Sequence, residues 1–329
     1  MSTVATETGL KFNPTSGYVP LRPSVLRSID SAPADLFLQY DRGTPPVLYC
    51  RAGSPLDAKH FAELADSGIE QVYVEKENFD SVSKRLLDSL ESYFQKDSVP
   101  QTEKFAALQV AVSVEIEHSL RAVDCGAFQS VAEKVGRRLV NLLAASDVLP
   151  RDLYRIAQHD FFTFAHVTNV ASYVVILAEE MGLRDAATLE HIASAAMLHD
   201  VGKRFISPAI LHKAGTLDEE ERETLESHPL RGYVELCDRP GLEFGQLMMV
   251  YQHHERIDGR GYPVRILGDE IHPWAKMLSV VNVFDGMTSK RGNRRPATLE
   301  RVLEFQREQA GTQFDREVVK CWISLMSRA

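Results

Sequence analysis

Residues 195 to 213 read AAMLHDVGKRFISPAILHK, and the reading turns on His199-Asp200, adjacent at the close of the apolar run Ala195-Ala196-Met197-Leu198. A helix that ends here can send two donor types, an imidazole and a carboxylate, toward one point. Working outward, His166 precedes the pair, while His228 and the doublet His253-His254 follow it. Imidazole suits borderline metals such as Fe, Mn, Ni or Zn, and carboxylate adds a hard oxygen that can bridge two ions. Six such side chains exceed what one tetrahedral site takes. The pattern therefore reads as a metalloenzyme with a centre for two metals.

Further out, residues 253 to 263 read HHERIDGRGYP, and residues 310 to 315 read AGTQFD. With His166, His199-Asp200 and Lys203, and His228-Pro229, these elements fall in one order from about Asp152 to the C-terminus. That order resembles the bacterial HD-GYP phosphodiesterases, a branch of the HD metal-hydrolase superfamily. The resemblance implies a mainly α protein, in which an all-helical HD-type metal-hydrolase bundle follows a small N-terminal α/β module. It also implies that His166, His199 and Asp200 hold one ion, and that Asp200 bridges to a second held by His228, His253 and His254. A hydroxide shared by two ions ~3.5–4 Å apart is a strong nucleophile at neutral pH, and the ions stabilise charge on phosphoryl oxygens. Lys203, one helical turn past His199, would aim its ammonium at a phosphate oxygen.

In such proteins the Gly-Tyr-Pro segment, here Gly261, Tyr262 and Pro263, helps to bind cyclic di-GMP. Two downstream basic residues contact the same substrate, and here they would be Arg291 and Arg294. The implied reaction is hydrolysis of cyclic di-GMP to pGpG, with onward cleavage to GMP left open. The cofactors would be two divalent ions, Fe or Mn.

The chain departs from the family pattern at several positions. Phe162 stands where some members carry a third-metal glutamate, which favours a two-metal site. The last aspartate ligand is expected 28 residues beyond His254, and that count lands on Asn282, with Asp285 one helical turn later. Either Asn282 ligates through its carbonyl oxygen, or Asp285 reaches in, or that site is poorly occupied. The basic turn reads Arg291-Gly292-Asn293-Arg294 without the usual Pro-Tyr, and Ile257 replaces a tryptophan. These changes keep a second reading open, a cyclic-dinucleotide sensor with weak or lost catalysis. A third, hydrolysis of another phosphorylated nucleotide, is disfavoured by the Gly-Tyr-Pro segment. His118, in Glu117-His118-Ser119, is a decoy for the first histidine and reads as a helix-surface residue.

The 329 residues leave room for one large or two medium domains. A net charge of −9 argues against a nucleic-acid polymer as partner. No apolar run approaches the ~18–20 residues that span a bilayer, and the N-terminus lacks the pattern of a signal peptide. Cys50, Cys125, Cys237 and Cys321 show no CxxC spacing, as expected of reduced thiols in the cytoplasm. Residues 1–17 are expected to be a disordered tail. Residues 18–95 are expected to form a regulatory α/β module that recruits signalling partners, with strands at 36–40, 46–50 and 70–74. A helix between the last two would be capped by Ser54 and stopped by Gly68. Residues 96–149 read as connecting helices suited to homodimerisation, and 150–329 as the helical domain, with amphipathic segments at His166–Met181 and Leu189–Leu198.

Overall fold

The computed structural model describes residues 17–21, 23–40, 44–69, 71–94, 96, 99–100, 103–105, 107–108, 125–144, 150–151, 153–154, 165–211, 213, 215–289 and 296–328. The chain divides into two compact units, Met1–Glu91 and Ser92–Ala329. His118, Phe162, Arg291 and Arg294 lie outside the described residues.

The first unit is built on a four-stranded antiparallel sheet in the order β1-β4-β2-β3. Its strands are β1 (Tyr18–Leu21), β2 (Leu36–Leu38), β3 (Val47–Cys50) and β4 (Val72–Glu75). Strand β1 has no counterpart in the sequence expectation, because Pro20 and Pro23 punctuate a run too short to show alternation. It pairs with β4 from Tyr18↔Glu75 to Leu21↔Val72 and forms one edge. Val72 and Val74 are buried while Tyr73 and Glu75 are half-buried, the two-residue period of a strand with one covered face. Helix α1 (Ala58–Asp66) starts later than expected. Asp57, not Ser54, caps it, its carboxylate accepting from the amides of Lys59 and His60 at 3.0 and 3.1 Å. Along α2 (Phe79–Phe94), Val82, Leu86 and Tyr93 are fully buried.

The second unit is helical. Its described helices are α3 (Cys125–Ala144), α4 (Ala165–Glu180), α5 (Ala186–Leu198), α6 (Pro208–Leu211), α7 (Glu219–Glu226), α8 (His228–Leu236), α9 (Phe244–Gln252), α10 (Pro273–Thr288), α11 (Leu299–Glu308) and α12 (Arg316–Ser327). A 3₁₀ turn, Val201–Phe205, continues from the end of α5.

Helices α4 and α5 are central rather than amphipathic, with Thr168–Ala178 and Ile192–Leu198 buried on every side. A helix apolar all round belongs inside, not on a surface. Helix α5 packs on α3, α4 and α9, and α4 also packs on α10. Tyr173 of α4, Phe284 of α10 and Trp322 of α12 meet edge to face, with centroids 5.0–5.5 Å apart. This aromatic cluster fixes three helices in one arrangement. No described helix is long and apolar enough to cross a membrane.

Candidate metal centre

Helix ends converge on the site. His199 caps the C-terminus of α5 and His253 that of α9, and His228 opens α8, while His166 lies in the first described turn of α4. Carbonyl-rich helix C-termini carry partial negative charge, so the ends of α5 and α9 suit a cation. The turn after α5 can approach α8 only because residue 202 is glycine. A Cβ there would stand 1.9 Å from the His228 carbonyl oxygen and 2.6 Å from the Gly232 nitrogen.

Three imidazoles are anchored alike. Nδ1 of His199 meets the Ala196 carbonyl at 2.6 Å, Nδ1 of His228 that of Leu225 at 2.7 Å, and Nδ1 of His253 that of Val250 at 2.9 Å. A carbonyl only accepts, so each Nδ1 carries a proton and each ring presents Nε2 toward Asp200. In every case the carbonyl belongs to the residue three positions earlier. His166 is anchored differently, its Nδ1 lying 2.6 Å from Oδ2 of Asp285.

The two oxygens of Asp200 face different groups. Oδ2 lies 3.4 Å from His199 Nε2 and 3.9 Å from His166 Nε2, while Oδ1 lies 3.3 Å from His228 Nε2 and 3.8 Å from His253 Nε2. Two donor sets result, His166/His199/Asp200 and Asp200/His228/His253/His254, each with its donor atoms within 4.8 Å of one another. Lys203 donates to Asp200 Oδ2 at 2.5 Å. Burial alone would raise the Asp200 carboxyl, but the His199 imidazole and the Lys203 ammonium outweigh it and hold the group well below the usual range. Burial, reinforced by the neighbouring imidazoles, pushes His253 and His254 far down, so both are neutral at pH 7.

Nε2 of His199 and Oδ1 of Asp200 are buried without a hydrogen-bond partner. Leaving such an atom unsatisfied costs roughly 1–3 kcal/mol, and a divalent ion between the donor sets removes that cost. Neutral imidazoles around a shared carboxylate are also the right chemistry for such ions. The residues present fit a metal.

Among the other expected site residues, Tyr262 stacks on His254, and its amide donates to the His254 carbonyl at 3.2 Å. Gly261 lets this loop lie on the preceding backbone, since a Cβ would stand 2.4 Å from the Arg256 nitrogen. The Tyr262–Pro263 peptide is cis. Asn282 is buried in α10, one turn before Asp285. Asp285 lies at the nitrogen of His166 that faces away from Asp200 and is outside both donor sets.

Sequence reasoning passed over three residues that hold this site. Glu255, 3% exposed, accepts from the amides of Val264 and Arg265 at 2.7 and 3.1 Å and so clamps the exit of the Gly-Tyr-Pro turn. Arg256 pairs bidentately with Asp258 and donates to Gln313 at 2.9 Å. The amide of Asp258 also donates to the Thr312 carbonyl, so the 310–315 run buttresses the loop. Asn169 donates to Asp285 at 3.0 Å. The available signal was the charged pair Glu255-Arg256 directly after two ligand-type histidines.

Residues 152–318 match the HD domain family. The chain is 37% identical over 160 residues to the 3'3'-cGAMP-specific phosphodiesterase 2 of Vibrio cholerae, covering 48% of this chain and 30% of that protein. It is 33% identical over 175 residues to the cyclic di-GMP phosphodiesterase response regulator RpfG of Xanthomonas campestris, covering 53% and 46%. It is 34% identical over 168 residues to a cyclic di-GMP phosphodiesterase of Thermotoga maritima, covering 50% and 45%. The matched region thus spans less than half the length of each of these relatives. Among solved structures, Bd1817, a HDG"Y"P protein from Bdellovibrio bacteriovorus, shares the fold with a TM-score of 0.68 at 17% identity, covering 94% of this chain and 100% of that one.

Proposed function

We propose that this chain, which belongs to the HD domain family and within it to the HD-GYP group, is a metal-dependent phosphodiesterase that opens cyclic di-GMP to linear pGpG. The observation that carries this reading is the division of Asp200, whose two oxygens serve two imidazole sets. His166, His199 and Asp200 would hold one divalent ion, and Asp200, His228, His253 and His254 the other, with Fe or Mn suited to such donors. When bound, such ions supply an activated water and neutralise charge on the phosphoryl oxygens.

In the reaction, water adds to phosphorus, the P–O bond to the sugar 3'-oxygen breaks, and that oxygen leaves as a hydroxyl. Lys203 offers an ammonium beside Asp200 for a non-bridging phosphate oxygen. Burial holds the Tyr262 phenol well above its ordinary pKa, so it stays a neutral hydroxyl able to donate to phosphate. The Glu255 clamp keeps that hydroxyl in place. Gly261 and Pro263 shape the turn, and Arg291 and Arg294 complete the proposed substrate contacts. We assign the first unit a regulatory role toward signalling partners and the chain a cytoplasmic setting. Free thiols at Cys50, Cys237 and Cys321 accord with that setting.

The names of the relatives divide between cyclic di-GMP and 3'3'-cGAMP. The test is therefore anaerobic incubation with each dinucleotide and Fe(II) or Mn(II), with products separated by chromatography. Appearance of pGpG, lost in His199→Ala/Asp200→Ala, supports the reading, and later GMP would extend it. Turnover of 3'3'-cGAMP alone would overturn the substrate assignment.

One observation favours a second reading, a sensor. Asn282 places a neutral amide where the family pattern has a carboxylate. Tight binding of cyclic di-GMP without product, at full metal occupancy, would establish the sensor. Asn282→Asp would then be the variant expected to gain turnover.

A further inference from the structure

We infer that Asp285 is a positioning residue that decides, from behind His166, whether the His166–His199 half of the centre holds its ion. The inference rests on the two-ion reading above.

The two halves are unequal. Among the described residues, one set has four donor residues and the other has three. The smaller set must also share Asp200 Oδ2 with the ammonium of Lys203, 2.5 Å away. Asn282, buried on the same face of α10 one turn before Asp285, brings no negative charge to offset that ammonium. The smaller half is therefore the weaker.

The anchoring of His166 compensates. His199, His228 and His253 each take a neutral carbonyl three residues earlier as partner. His166 lies at the N-terminal limit of the described part of α4. Its Nδ1 meets a carboxylate oxygen of Asp285, 2.6 Å away on another helix. Asp285 is fully buried and fixed at both oxygens, by Asn169 Nδ2 at 3.0 Å and by Ser289 Oγ at 3.0 Å. A carboxylate partner orients an imidazole and raises the basicity of its other nitrogen more than a carbonyl does. The half with fewer described donors is the half whose histidine is backed by a carboxylate.

The experiment is a titration of the chelated full chain with Mn(II), with free Mn(II) followed by electron paramagnetic resonance. The wild type is expected to take up two equivalents. His228→Gln, which cripples the four-donor half, marks which equivalent belongs to which set. In Asp285→Asn the His166–His199 equivalent is expected to weaken by roughly 10–100-fold, the range for loss of such a partner, while the other changes less than about twofold. Two unchanged equivalents, or equal weakening of both, would overturn the assignment. If circular dichroism shows that Asp285→Asn does not fold, Ser289→Ala is titrated instead. It keeps the carboxylate but removes one hydrogen bond to it. Weakening confined to the same equivalent supports the assignment, and no change overturns it. A wild type that binds one equivalent or none overturns the two-ion reading and this inference together.

Discussion

The rings of His254 and Tyr262 lie stacked, with centroids 4.7 Å apart and planes 24° from parallel. A proposed metal ligand and a proposed substrate contact are thus one packed pair. Among the described residues, His254 has no carbonyl anchor of the kind that fixes His199, His228 and His253, so ring packing against Tyr262, His253 and His228 holds it in place.

Removing that ring should therefore be felt by the metal. Tyr262→Ala gives up a contact worth about 1 kcal/mol, and Mn(II) affinity of the four-donor set is expected to fall roughly fivefold. Tyr262→Phe keeps the stack and loses only the hydroxyl, so metal affinity should hold while KM for cyclic di-GMP rises. Equal metal loss in both variants would show that the stack does not matter.

Gly202→Ala forces a methyl onto the His228 backbone, which cannot yield as a flexible side chain would. Overpacking of this kind costs at least about 1–3 kcal/mol. A lower urea midpoint is expected, together with weakened metal uptake as His228 is displaced. A midpoint unchanged from wild type would count against the close approach of the turn and α8.

The depressed pKa values of His253 and His254 set a pH dependence. Unfolded, these groups protonate near 6.5, the ordinary histidine value, and folded they resist protonation until much lower pH. Below 6.5 the unfolded chain binds more protons, so stability falls as pH falls through that region and is fully present above it. Urea midpoints of the chelated protein at about pH 7.5 and about pH 5.5, on either side of that value, test this, with the lower midpoint expected in the acid. His253→Gln should flatten the difference.

Glu255→Ala would leave the amides of Val264 and Arg265 without their acceptor. A cost of about 1–3 kcal/mol is expected, concentrated in the loop. Hydrogen exchange at those two amides should quicken, and KM should rise more than kcat falls. Unaltered exchange there would show that the clamp is not what orders the turn.

The histidine order was legible in the sequence because His199, His228 and His253 each end or begin a helix, and a helix end in an apolar run is a local signal. The carbonyl anchors follow from that position without any further residue. The partner of His166 was not legible, because it comes from α10, 119 residues away, and no spacing rule links the two. Asp285 was one of three alternatives at the last ligand position, and it lies 2.6 Å from His166 Nδ1, on the side of the ring away from Asp200. Helices α4 and α5 were legible as helices but not as the centre of the unit. Periodicity reports an apolar stripe only when one face stays wet, and these two have none. The extent of the sheet was missed at β1, whose pairing with β4 is a tertiary property of a four-residue segment.

The contacts from Thr312 and Gln313 to the 256–258 backbone and to Arg256 have a consequence for how the molecule is made. During synthesis every proposed ligand from His166 to His254 leaves the ribosome well before residue 313. The donor sets can gather in a nascent chain whose substrate turn still lacks its brace. On the proposed function, metal capture would precede completion of the turn, and a chain stalled before residue 312 would hold the proposed ligands without the finished Gly-Tyr-Pro turn.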